Sequence, residues 1–279
     1  MAATPKLQRT AFRTSRLLDF CSRKELIAQT GHQPDVWPLV VLKELVDNAL
    51  DACEDAGIPP AVMITADPDG ICVADNGPGL PPEVVDGVLD FSVRVSSREA
   101  YVAPDRGAQG NALKTILAMP FILDGECGRV DIEARGLRHQ ITMCVDRLRQ
   151  QPILERKNLA VDQQTGTKCR VYWPDSASSI LHDAQSRFVQ IAEDYTFLNP
   201  HLTLTVDWFG ALFRIEATDP QWQKWLPSDP TCPHWYGREH FERLVTAYIA
   251  HDLDTGQRRT VREFVAEFRG LSPIRFKQA

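Results

Sequence analysis

Between Pro38 and Cys53 the residues Leu42, Leu45, Val46, Ala49, Leu50 and Cys53 recur at helical spacing, and the run stops at Gly57-Ile58-Pro59-Pro60. This is a helix with one apolar face. Two short apolar runs follow, VMITA at 62–66 and ICVAD at 71–75, joined by DPDG, whose Pro and Gly suit a hairpin turn. The segment NGPGLPPE then bends the chain, and Glu83 to Leu89 reads as a second helix with prolines at its start. From Phe91 to Gly110 no periodicity is visible, and a loop of that length inside a domain is usually functional. NALKTILAM reads as a helix, and strands are expected near 129–134, 138–145 and 168–173, the first two joined by a turn at Arg135-Gly136-Leu137. A helix from Ile180 to Tyr195 leads through LNPH into a hairpin pair, LTLTVDW and LFRIEA.

Composition enters where the class of chain must be bounded. The 279 residues are 43% hydrophobic, which excludes a disordered or collagen-like chain, and at roughly 150 residues per domain they make one large domain or two moderate ones. A formal net charge of −6 argues against binding nucleic acid over the whole surface, so any DNA contact must be local or come from a partner. Seven scattered cysteines show no C-x-x-C pair, and the expectation is free buried thiols in a reducing compartment. The start has no apolar run long enough for a secretory signal, and no stretch reaches the roughly 20 apolar residues of a membrane span. A cytoplasmic location without membrane contact is expected.

The stretch 219–237 changes character, with four prolines and three tryptophans, and two short helices at about 238–250 and 260–268 close the chain. The expected layout is an α+β domain over 1–218, a Pro/Trp-rich linker or docking arm over 219–237, and a small helical module over 238–279. Trp222, Trp225, Trp235 and Tyr236 would anchor a partner, or strap the arm onto its own domain, the second reading carrying more weight. Arg258, Arg259, Arg262, Arg269, Arg275 and Lys277 near the end are more simply a solvated face than a DNA site.

Four features carry chemistry. On the first helix Glu44, Asn48, Asp51 and Asp55 fall at steps of four, three and four, forming one stripe opposite the apolar face. A solvated face explains such a stripe by default, but a carboxylate one turn from an amide oxygen also sets a base beside a Mg²⁺ ligand. The second feature, Asp75-Asn76-Gly77-Pro78-Gly79, follows a strand directly. A carboxylate there accepts a hydrogen bond from an exocyclic amine while the glycines admit a flat ligand, although such dipeptides also mark ordinary turns. The third is the loop Arg106-Gly107-Ala108-Gln109-Gly110-Asn111-Ala112, which opens a helix and offers backbone N–H groups to an anion. The fourth is Gly166-Thr167 before the strand KCRVYW, where a hydroxyl supports Asp75 or a water beside it.

In this order the four features resemble the motifs of the Bergerat-fold (GHKL) ATPases. No G-x-x-x-x-G-K-[ST] occurs, so a P-loop is excluded. Within that superfamily KELVDNALDACEDAGIPP, IAEDYTFLNPHLTLTV and the tail TVREFVAEFRGLS are similar to the topoisomerase VI B subunit, whose helix-two-turn-helix module the tail resembles. RGAQGNAL is equally similar to the MutL form of the glycine loop, with Ala112 where a third Gly is expected. The resemblance implies a two-layer sandwich of mixed or antiparallel sheet and helices, with a small helical appendage. It also implies that Glu44 is the general base acting on water, that Asn48 holds Mg²⁺, with Asp51 beside it, and that Asp75 reads the adenine amine, assisted by Thr167. Gly77 and Gly79 would admit the base, while Gly107, Gln109, Gly110, Asn111 and Ala112 would wrap the phosphates. Lys114 would add positive charge there or face solvent, and Ser97 and Arg98 are weaker candidates.

The function so implied is Mg²⁺-dependent ATP binding and hydrolysis gating a DNA-acting complex. A DNA-cleaving partner resembling the topoisomerase VI A chain is expected, with ATP-dependent homodimerisation and DNA contact that is indirect or local. In the family a transducer domain supplies a lysine to the γ-phosphate, and the chain ends at Ala279 before such a domain, so slow hydrolysis without a partner is expected. Two alternatives stand beside this one, a nucleotide-gated adaptor with incidental hydrolysis and a MutL-like DNA-repair ATPase.

Overall fold

The computed structural model describes residues 22–89, 112–146, 151–222, 230–256 and 258–271. Helix α1 (Arg23–Thr30) is capped by the Ser22 hydroxyl, which accepts the Glu25 N–H, and it closes on Gly31 in the left-handed region. Helix α2 (Trp37–Asp55) is the expected apolar-faced helix, three residues longer than its periodicity suggests. Its end is closed by the Ile58 N–H, which donates to the Cys53 carbonyl at 2.9 Å around Gly57 at φ +67°. Strands β1 (Ala61–Asp67) and β2 (Gly70–Ala74) form the expected hairpin, followed by α3 (Pro82–Leu89) and α4 (Ala112–Asp124).

Next come β3 (Cys127–Ala134), β4 (Leu137–Asp146), β5 (Gln151–Ala160) and β6 (Thr167–Tyr172). The expected helix over 180–195 is two helices, α5 (Ser178–Asp183) and α6 (Gln185–Leu198), separated at Ala184. Strands β7 (Thr203–Trp208) and β8 (Ala211–Ile215) are the second expected hairpin, and α7 (Arg238–Thr255) and α8 (Val261–Ala266) follow them.

Among the described residues the strands make one eight-stranded sheet in the order β5-β4-β3-β6-β2-β1-β7-β8, antiparallel throughout except for the parallel pair β1 and β7. Burial alternates along β1, β6 and β7, as it must when one face of a sheet is covered and the other is not. Helices α2, α4 and α6 supply the cover, lying against β2, β3 and β7 respectively. Leu42, Leu45, Val46, Leu50, Ile64, Ile71, Ile132 and Val171 meet in the core between the layers. The α+β sandwich expected above is thus the observed architecture. On the open face the charges are paired: Arg170 makes two bonds to Asp67, at 2.9 and 2.8 Å, and holds that carboxyl below the usual range.

Two expectations are corrected here. The sequence pattern does not signal β5, because a Pro near its start and alternating charged residues weaken any strand signal. It is an edge strand, where a missing N–H is tolerated. The cysteines are also not all free, since the β3–β4 register places Cys127 opposite Cys144 and the two form a disulfide. Cys53, Cys72 and Cys169 are buried free thiols as expected, Cys232 is a half-buried one, and Cys21 lies outside the described residues.

Candidate functional site

The carboxylate of Asp75 sits at the carboxyl end of β2 and is fixed from two directions. Its Oδ1 accepts the Gly77 N–H at 2.8 Å and the Thr167 N–H at 3.1 Å. The Asp75 N–H in turn donates to the Thr167 carbonyl at 2.9 Å, and the Thr167 side chain also hydrogen-bonds the carboxylate. The half-buried group has its pKa raised by desolvation, against which these three donors pull. Each carboxylate oxygen offers two lone pairs, so acceptor capacity remains for an incoming amine.

The loop after Asp75 is held by contacts between segments distant in sequence. Gly166 donates to the Gly77 carbonyl at 2.8 Å, Leu80 donates to the Thr167 hydroxyl at 3.0 Å, and Arg135 Nε donates to the Gly79 carbonyl at 3.0 Å. Asn76 turns the other way: its Oδ1 accepts the Ala61 N–H at 2.8 Å and its Nδ2 donates to the Pro59 carbonyl at 3.0 Å, tying the loop to the exit of α2. Of these, Arg135 reads in the sequence only as a turn residue. Its backbone lies at φ +50°, uncommon for a residue with a side chain, where the β3–β4 turn meets the Gly79 loop.

Gly166 has no room for a side chain. A Cβ there would lie 2.0 Å from the Asp75 carbonyl oxygen, and its φ of +74° disfavours every residue with one. Gly166→Ala is therefore expected to cost roughly 3 kcal/mol of stability, combining left-handed backbone strain with overpacking against main chain. A urea midpoint matching the wild type would refute that assignment of strain.

The stripe on α2 runs toward this loop. Glu44 is partly exposed, Asn48 and Asp55 are exposed and Asp51 is half-buried, in a helix whose other face is core. Ala52, one turn after Asn48, would be 3.6 Å from a Cβ at Gly77, and Cys53 Sγ would be 3.3 Å from it, so the last turns of α2 abut the Asp75 loop. Burial pushes the Cys53 thiol up to about 12, with the Asp75 charge adding to the shift, so it stays protonated beside the carboxylate.

The remaining candidates divide into three groups. Thr167 lies against Asp75, with its backbone N–H on the carboxylate and its hydroxyl accepting the Leu80 N–H. Lys114 is 2% exposed and engaged within the fold, which overturns its solvent-facing alternative. Ala112 begins α4, while Ser97, Arg98, Gly107, Gln109, Gly110 and Asn111 lie outside the described residues. No group of three or more His, Cys, Asp or Glu side chains suited to a metal occurs among the described residues.

No family model matches the chain. The B subunit of type 2 DNA topoisomerase 6 from Archaeoglobus fulgidus is 26% identical over 174 residues, covering 60% of this chain and 28% of that protein. The chain is thus similar in sequence to part of topoisomerase 6 B subunits. The B subunit from Thermococcus kodakarensis is 32% identical over 126 residues, 43% of this chain and 22% of its own length, so the chain matches about a quarter of these B-subunit relatives. Among solved structures, the Aquifex aeolicus MutL ATPase domain complexed with ADP matches 74% of this chain and 67% of its own at 16% identity and a TM-score of 0.41.

Outside the site, Trp222 packs on His201, ring centroids 4.7 Å apart, and His201 Nε2 lies 3.0 Å from Glu54 Oε1. That contact favours the strap reading for the start of the arm, while Trp225 lies outside the described residues. Tyr236, Phe241, Tyr248, Phe264 and Phe268 form an aromatic cluster joining α7, α8 and the segment before them. No described helix is long and apolar enough to cross a membrane.

Proposed function

We propose that the chain is a Mg²⁺-dependent ATPase of the GHKL type, coupled to a DNA-acting partner of the topoisomerase VI A kind. The observation that carries this reading is the fixed Asp75 carboxylate at the end of β2, beside a glycine loop that abuts the helix bearing Glu44 and Asn48. Asp75 accepts the exocyclic amine of adenine and so selects the base. Gly77 and Gly79 keep that wall low. Asn48 offers its side-chain oxygen to Mg²⁺, and Asp51 supports it from the same stripe. Bound Mg²⁺ would neutralise phosphate charge, the chief requirement of phosphoryl transfer. Glu44 takes the proton of the attacking water and orients it toward the γ-phosphate.

The domain division belongs to the same proposal: a nucleotide-binding unit over 1–218, an arm over 219–237 and a helical module over 238–279. Homodimerisation on ATP and indirect DNA contact follow from the B-subunit likeness. Isothermal titration of the folded protein with ATP and Mg²⁺ tests the core of it. Saturable heat with a dissociation constant between roughly 1 μM and 1 mM is expected, whereas a flat titration by a protein with intact circular dichroism would remove the reading.

A further inference from the structure

We propose that Lys43 is a positioning residue for Glu44, and that Asp47 and Tyr195 hold Lys43 in place. The inference rests on the reading of Glu44 as the base and adds the device that aims it. Lys43 Nζ lies 3.0 Å from Glu44 Oε1 and 3.0 Å from Asp47 Oδ2. The second contact is the ordinary i,i+4 pair of a helix surface, but the first is not, because adjacent residues on a helix point about 100° apart. One ammonium therefore bridges the Glu44 and Asp47 carboxylates, which lie three residues apart on α2.

Asp47 is what makes this more than a surface ion pair. It is buried, and its Oδ1 accepts the Tyr195 hydroxyl from α6 at 2.7 Å. That hydroxyl also lies 3.3 Å from the Lys43 carbonyl, so the phenol grips both residues of α2. A carboxylate out of water requires its cation and its donor, so the far end of the Lys43 side chain is anchored by groups that are themselves packed. An isolated exposed pair would contribute about 0–1 kcal/mol and fix little. Here the Lys43 side chain is 53% exposed, but its ammonium is anchored on the buried Asp47 and from there reaches Glu44 Oε1, which leaves Oε2 to accept the water proton. Such orientation matters because small misplacements of a base cost rate steeply.

The test uses the full chain and measures phosphate release and the affinity for a fluorescent ATP analogue with Mg²⁺ separately. Lys43→Met is expected to slow turnover roughly ten- to hundredfold while nucleotide affinity stays within about twofold. Lys43→Arg should recover most of the rate, since a guanidinium can span the same two carboxylates, and Tyr195→Phe should lose part of it. Wild-type turnover by Lys43→Met, or a parallel loss of affinity that Arg does not rescue, overturns the proposal. If Lys43→Met fails to fold because Asp47 is left without its cation, the Lys43→Met/Asp47→Asn double variant removes both charges and carries the same expectation. Glu44→Gln is run beside these. If it retains wild-type turnover, the base reading falls and this inference with it. If Glu44→Gln is inactive and Lys43→Met is normal, only the positioning role falls.

Discussion

Glu44→Gln is expected to bind ATP as the wild type does and to turn it over roughly 10²–10⁴-fold more slowly, the range associated with loss of a general base. The substitution keeps the volume and one side-chain oxygen but cannot take a proton. The partly exposed position of Glu44 on a helix otherwise committed to core on its opposite face means that the change disturbs little packing, so a loss of turnover reads on chemistry and not on folding. The decisive comparison is single-turnover phosphate release against nucleotide affinity in the same preparation. An equal fall in both would move Glu44 from the base role to a binding role, and an unchanged rate would remove it from the site.

Asp75→Asn is expected to weaken ATP roughly 10²–10³-fold, combining the loss of a charge-assisted hydrogen bond with an unfavourable donor–donor contact. The geometry determines which way the new amide faces. Two backbone N–H groups, from Gly77 and Thr167, point at the position of Oδ1, so the amide oxygen must take that place. Its NH₂ then occupies the other position and meets the adenine amine, donor against donor. The fold keeps its internal bonds while the ligand loses its acceptor, so melting should change little when binding collapses. A dissociation constant within a fewfold of the wild type would show that Asp75 does not read the base.

The same residue gives the wild type a pH signature. Burial raises the Asp75 pKa above the ordinary carboxylate value, against the pull of its donors. As pH falls through that raised value the group takes up a proton and loses its charge, so affinity begins to weaken at a less acid pH than an exposed Asp would produce.

How much of the fold and the site is legible in the sequence follows the distance over which each feature is determined. Helix α2 and the two hairpins rest on local periodicity and turn residues, and the sequence places them with small boundary errors. The Glu44–Asn48 stripe is a matter of spacing on one helix and is equally open to reading. Asp47 is not: its burial depends on Tyr195, 148 residues later, which no helical pattern encodes. The Cys127–Cys144 pairing and the grip of Arg135 on Gly79 depend on the register of the β3–β4 hairpin, and β5 hides its strand character behind a Pro and charge at a sheet edge. Thr167 is found through resemblance, and its actual partners require the sheet order, which sets β6 beside β2.

That adjacency of β2 and β6 has a consequence for how the protein comes into being. Asp75 and Thr167 are 92 residues apart in the chain and hydrogen-bonded in the fold. Closing a loop of that length carries a large entropic cost, which no contact within either strand repays by itself. A nascent chain that has emerged only as far as α4 already contains Glu44, Asn48 and Asp75 and can pair β1 with β2, yet lacks β6 and with it the Thr167 N–H that fixes the carboxylate. On the proposed reading, a site able to receive a nucleotide therefore waits for β6 to pair with β2.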